Sequence, residues 1–158
     1  MSPADAETRV TRDDHEVLRL WLRLLATTNL IEGRIRRRLQ DRFTTTLPRF
    51  DLMSQLDRAP DGLKMGELSR RMMVTGGNVT GITDGLEAEG LVARIPDPED
   101  RRALRVRLTT AGRRAFRLMA SEHEGWIVDL FAGLESEQRA MLSDLLGRLK
   151  LHIRAKED

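Results

Sequence analysis

Between residues 75 and 109 the apolar residues change their period, and few folds accommodate such a change in so short a stretch. Val79, Ile82 and Leu86 recur at three- and four-residue steps, the spacing of one face of a helix expected over Thr75–Glu89. The Thr75 hydroxyl can cap that helix, and Gly90 stands where glycine commonly ends one. From Leu91 the period falls to two. Leu91–Ile95 reads as a strand, and Ala103–Thr109 as another, with Leu104, Val106 and Leu108 on one side and Arg105 and Arg107 on the other. The intervening Pro96-Asp97-Pro98-Glu99-Asp100-Arg101-Arg102 is a polar hairpin tip, too long for a two-residue turn.

The flanking segments are helical. Val17, Trp21, Leu24, Thr28, Ile31 and Ile35 mark a long first helix over Asp13–Arg42, beyond a polar arm at 1–12 expected to be disordered. Thr44-Thr45-Thr46 breaks it. Pro48 suits the first turn of a second helix whose stripe is Phe50, Met53 and Leu56, ended by Ala59-Pro60-Asp61-Gly62. Met65, Leu68 and Met72 mark a third. After the strands, one helix starts near Thr110, and another opens at Glu135-Ser136-Glu137 with Met141, Leu142, Leu145, Leu149 and Ile153 as its seam. The expected fold is mainly α with a small β-hairpin: a winged helix-turn-helix lobe at 47–109, flanked by helices at 13–46 and 110–158. Those long amphipathic helices need an apolar surface to bury against. A second copy of the chain supplies it, and a dimer would set two recognition helices about 34–36 Å apart, one turn of DNA. A monomeric helical bundle is the alternative.

Charge sharpens the functional expectation. The formal net charge is only +2, yet seven arginines and no acid lie between Arg101 and Arg117, whereas lysine occurs only at Lys64, Lys150 and Lys156. A basic stripe on a near-neutral chain suits a phosphate backbone. The helix expected over Thr75–Glu89, entered through the tight corner Met73-Val74-Thr75-Gly76-Gly77, presents Asn78, Thr80, Gly81, Thr83 and Asp84 off its apolar face. Small and amide-bearing residues there allow close backbone approach and base-edge contacts. At the hairpin tip, Arg101 and Arg102 can enter a minor groove, with Asp100 holding the Arg102 fork by a bidentate pair.

These residues resemble the MarR family of transcription regulators. The resemblance rests on Met65-Gly66-Glu67-Leu68-Ser69, Asn78 to Asp84, Leu86 to Val92, and Asp97 to Arg102 running through Leu108-Thr109-Thr110-Ala111-Gly112. It implies a homodimer that binds double-stranded operator DNA, with Arg102 matching the minor-groove arginine and Asp100 its partner; the other contacts expected from the residues themselves are Thr75, Gly76, Gly77, Asn78, Thr80, Gly81, Thr83 and Arg101. It also implies release by a small effector. Gly81 departs from the pattern, since many members carry a long side chain there. Phe50-Asp51-Leu52-Met53 and Val74 to Gly81 resemble members that govern aromatic-acid degradation, some of which respond to a hydroxycinnamoyl-CoA thioester.

By that resemblance an effector would lie between the flanking helices and the lobe, against Trp21, Leu25, Phe50 and Met53, with Arg34, Arg37 and Arg38 receiving coenzyme phosphates. The chain has no cysteine, which excludes disulfides and thiolate metal sites. His15, His123 and His152 share no metal-ligand spacing, and no arrangement suggests catalysis. No apolar run is long enough to span a membrane, and the N-terminal residues lack the order of a signal peptide, so a cytoplasmic regulator without cofactor is expected. A winged-helix DNA-binding protein without a ligand, and a small enzyme or carrier that merely uses the fold, remain open alternatives.

Overall fold

The computed structural model describes residues 12–72 and 78–156. The elements in chain order are α1 (Arg12–Phe43), α2 (Leu47–Asp57), β1 (Leu63–Lys64), α3 (Met65–Arg71), α4 (Val79–Ala88), β2 (Val92–Pro96), β3 (Leu104–Leu108), α5 (Thr110–Phe131) and α6 (Ser136–Arg154). The chain divides into two compact units, one ending at Met119 and the other beginning at Ala120. The division falls inside the continuous α5.

In the first unit, Leu39, Leu52, Met53, Leu56, Leu68, Leu86, Val92 and Val106 form the core. Thr46 caps α2 by accepting the Arg49 N–H, and Pro48 sits in the first turn, where its missing donor costs nothing. The sheet has three antiparallel strands in the order β1-β3-β2, with Leu63 opposite Val106 and Arg94 opposite Val106 on the other side. The hairpin was expected; β1 was not, because two residues carry no period. Leu104 was expected beside Val106 and Leu108, but it is half exposed while the other two are buried. It lies beyond the reach of the core, near the hairpin tip.

Two joints fix the end of α4 and the start of α5. Gly90 takes φ +73°, and the Leu91 and Gly90 N–H groups return to the Leu86 and Glu87 carbonyls, so α4 ends in a Schellman motif. Thr109 then locks the start of α5. Its hydroxyl donates to the Gly90 carbonyl (2.6 Å) and accepts the Gly112 N–H (3.0 Å), while its own N–H bonds the Leu91 carbonyl. Gly112 lies so close to that carbonyl that any Cβ would collide with it. The run Thr109-Thr110-Ala111-Gly112 is therefore a backbone joint between the end of α4 and the start of α5.

The second unit is a helical hairpin. His123 and Trp126 meet edge to face, with ring centroids 6.4 Å apart, and burial pushes the His123 imidazole below its ordinary pKa. The α6 N-terminus is closed by Gln138, whose side chain accepts the Glu135 N–H (2.8 Å). None of the residues of α6 is buried.

Candidate nucleic-acid interface

The recognition helix α4 begins later than the sequence suggested. Thr75, Gly76 and Gly77, expected to contact DNA, lie outside the described residues, so the structure gives no account of them. The N-cap of α4 is Asn78, whose side-chain oxygen accepts the Thr80 N–H at 3.1 Å. That bond engages the oxygen a bidentate adenine contact would use, which leaves the Asn78 amide NH2 as the outward donor. Thr80 and Gly81 are exposed beside it. Gly81 faces the Asn78 amide, which a Cβ there would touch at 3.4 Å.

Thr83 requires a correction. It was expected to face outward, but it is fully buried, its hydroxyl donating to the Val79 carbonyl (2.7 Å). The reason is positional: residues 79, 82, 83 and 86 share the i, i+3, i+4, i+7 stripe, and a threonine on it folds inward like a valine. Its polarity is satisfied by back-bonding within the helix.

The acids of α4 lie towards its C-terminal half and are engaged by β2. Arg94 Nη2 meets Asp84 Oδ1 at 2.6 Å, and Arg94 Nη1 meets Glu87 Oε1 at 2.8 Å. The Arg94 N–H also donates to Glu87 Oε2 at 3.2 Å. Asp84 is thus balanced by the strand next to it, and the unopposed polar surface of α4 is its first turn.

The hairpin tip is organised by a residue that apolar periodicity passes over. The Asp97 carboxylate is fully buried, with Oδ1 accepting the Glu99 and Asp100 N–H groups at 2.9 and 3.0 Å. Its Oδ2 binds Arg105 Nε at 2.5 Å and lies 3.8 Å from Lys64 Nζ, so Asp97 ties all three strands together. The Arg105 hydrogen bond, then the backbone donor of Glu99, holds its pKa down at about 2. The available signal was an aspartate two and three residues before free N–H groups, the pattern of an Asx-turn.

Asp100 also differs from expectation. Its carboxylate accepts the Arg102 backbone N–H (3.0 Å), and no ion pair joins it to the Arg102 guanidinium among the described residues. A main-chain bond closes the turn more cheaply than pinning a long side chain, and it leaves Arg101 and Arg102 exposed at the tip, without an ion pair among the described residues.

The residues expected around an effector do not converge. Trp21 and Leu25 lie on the exposed part of α1, at 52% and 38% exposure. Phe50 is buried against Phe116, ring centroids 5.5 Å apart. Met53 lines a cavity of about 190 Å³, together with Phe43, Thr44, Arg49, Leu86, Glu89 and Leu118 among others, and Trp21, Leu25 and Phe50 do not line it. Thr44 there holds φ +50°, unusual for a β-branched residue. Arg34, Arg37 and Arg38 do not line it. Arg49 and Glu89, which pair across it at 2.6 Å, were missed because their meeting depends on tertiary packing.

With this geometry in place, the likeness to known proteins is specific. Residues 45–104 match the model of the MarR family. The chain is 31% identical over 105 residues to the uncharacterized HTH-type transcriptional regulator YdgJ of Bacillus subtilis, covering 66% of this chain and 63% of YdgJ, a little under two thirds of that relative's length. It superposes on the crystal structure of a MarR family transcriptional regulator from Silicibacter pomeroyi with TM-score 0.80 and 30% identity, over 90% of this chain and 99% of that one. A mutant of MarR from E. coli, crystallised with operator DNA, shares the fold at TM-score 0.73 and 23% identity, over 85% and 95% of the two chains. With a relative 30% identical and covered almost end to end, and with the family model matched from α2 to the start of β3, this chain belongs to the MarR family, whose members are transcription regulators and not enzymes.

Proposed function

We propose that the chain is a homodimeric, cytoplasmic repressor that binds a pseudo-palindromic operator and is released by a small aromatic or aryl-CoA effector. The observation that carries the DNA-binding part is the pairing of two exposed elements: the first turn of α4, with its acids held back by Arg94, and a rigid hairpin tip offering Arg101 and Arg102. Thr75, Gly76 and Gly77 would extend the first of these. One element suits the major groove and the other the minor groove. The E. coli relative bound to operator DNA shares this fold.

The dimer is supported by what a single chain leaves exposed. Val17, Leu20, Trp21 and Leu30 of α1, and Met141, Leu145, Leu151 and Ile153 of α6, each keep half or more of their surface in solvent. So much apolar surface on a monomer marks an interface. In such a dimer Trp21 and Leu25 would be covered, and could close an effector site. An effector that binds better to a dimer with wrongly spaced recognition helices weakens DNA binding by that difference in affinity.

The test is a mobility-shift titration on the DNA upstream of the chain's own gene, at fixed salt, with and without p-coumaroyl-CoA. Specific binding relieved by the thioester is the expected result. Specific binding indifferent to it would overturn the effector class, and absence of specific binding would overturn autoregulation through that DNA.

A further inference from the structure

The helix α4 has the wrong charge for an element that approaches a polyanion. Its ten residues, Val79–Ala88, include no lysine or arginine; their charged side chains are Asp84 and Glu87, and the C-cap is Glu89. These acids lie in the C-terminal half, the negative end of the backbone dipole, where a cation is favoured and a carboxylate is not. Each of them meets an arginine from another element. Glu89 pairs with Arg49 of α2 at 2.6 Å. Asp84 and Glu87 share Arg94 of β2, at 2.6 and 2.8 Å, and the Arg94 N–H donates to the second Glu87 oxygen at 3.2 Å.

Ion pairs between partly exposed side chains add little to stability, so the position of this triad carries more than its energy. Asp84 follows Thr80 and Gly81 by four and three residues, which puts it on their face, about 6 Å of helix rise beyond Thr80. That is within a Debye length of about 8 Å at physiological salt, so a free charge there would act on phosphates bordering the groove. The Asp84 side chain is 61% exposed and that of Arg94 21%, so the carboxylate is the more outward of the two. The exposed Arg101 and Arg102 of the hairpin tip, by contrast, make no ion pair among the described residues. A free arginine attracts phosphates on any DNA sequence, and this sequence-independent attraction supplies non-specific binding. Base edges are told apart by donors and acceptors such as the Asn78 amide and the Thr80 hydroxyl.

We infer that Asp84 and Glu87 are specificity-determining residues: they hold Arg94 away from DNA phosphates and leave the reading face of α4 without positive charge, so that binding there depends on base edges. The inference rests on the operator reading above and adds to it a device against non-specific DNA. Two carboxylates against one guanidinium leave the triad slightly acidic, so phosphates gain nothing from this face. Arg94 in turn keeps the two carboxylates from repelling the operator.

The experiment compares wild type with Asp84→Asn/Glu87→Gln, with Arg94→Gln and with the triple variant that combines them. Affinity is measured over a salt series for a duplex from the DNA upstream of the chain's own gene and for a scrambled duplex of the same length and composition. The double variant frees Arg94 and is expected to bind the scrambled duplex roughly tenfold more tightly at low salt, with a salt slope steeper by about one. Its preference for the upstream duplex should fall accordingly. Arg94→Gln should bind both duplexes more weakly than wild type, the loss shrinking as salt rises. The triple variant should lie between wild type and the double variant. Scrambled-duplex affinity thus follows the local charge, whatever the order of the melting temperatures. A triad that merely braced α4 against β2 predicts something else, because all three variants break the same contacts: they would lose upstream-duplex affinity alike and leave the scrambled duplex unaffected. That result overturns the proposal, as does a double variant with the wild-type salt slope and scrambled-duplex affinity. Should the double variant fail to fold, the exposed Asp84→Asn alone is expected to shift both readings the same way by a smaller factor. A wild type that binds both duplexes alike overturns the operator reading itself, whatever the variants do.

Discussion

Single side chains decide what the interface can read. Thr83 spends its hydroxyl inside α4, and Asn78 spends its oxygen on the helix cap. Under the proposed function, base recognition from the described part of α4 would therefore fall to the Asn78 amide NH2, to Thr80 and to the backbone approach that Gly81 permits. Thr83→Val removes one internal hydrogen bond and is expected to lower stability by up to about 1 kcal/mol. It should leave the base preferences of the operator unchanged, as scored by binding to a set of single-base operator variants; an altered preference at one position would return Thr83 to the interface. Asp97 is the corresponding residue in the hairpin. Its folded pKa of about 2 lies below the ordinary 3.8, so the folded state binds fewer protons between these values. The stability it confers is complete above about pH 4 and is lost as pH falls through about 2. Asp97→Asn should therefore be less stable than wild type at neutral pH, with the gap closing in acid unfolding between about pH 4 and pH 2; a gap independent of pH would contradict its charged role.

At the scale of elements, the hairpin acts as a braced lever. Asp97 ties its base to β1 and β3, and Asp100 closes the turn that projects Arg102. Arg102→Ala is expected to weaken operator binding by about 1–3 kcal/mol at fixed salt, beyond one screened phosphate contact, with the melting temperature nearly unchanged. An affinity equal to wild type across a salt series would remove the tip from the groove. Much of this architecture is legible in the sequence, because apolar periodicity locates α1, α2, α4, β2 and β3 to within a few residues. What escapes it has a common cause. Periodicity registers apolar residues only, so polar side chains that turn inward, Thr83 and Asp97, read as surface. β1 is too short to have a period. The capping of α4 was assigned to Thr75 because a hydroxyl before a helical stripe is a good signal, yet Asn78, three residues on, offers an equally good one and is used. The Arg49–Glu89 pair depends on which helices meet, information that no local window holds.

For the whole molecule, the apolar faces of α1 and α6 demand a cover. A 19-residue helix that buries none of its side chains is not stable on propensity alone. Its leucine seam is expected to be half of a two-fold interface. Leu145→Asp, on that seam, should shift the protein to monomer in sedimentation at micromolar concentration and depress operator affinity, while the first unit keeps its helical and hairpin structure. A dimer unaffected by this change would place the interface elsewhere.

Two copies of this chain are expected to present two equivalent reading heads to one face of DNA, and everything proposed for the operator depends on that pairing. Hydroxyl-radical footprinting of the bound operator tests it most directly. Two protected half-sites related by a dyad, with centres about one helical turn apart, roughly 34–36 Å, or a whole multiple of that, are the predicted result. A single protected segment without two-fold symmetry, at any protein concentration that saturates the site, would contradict it.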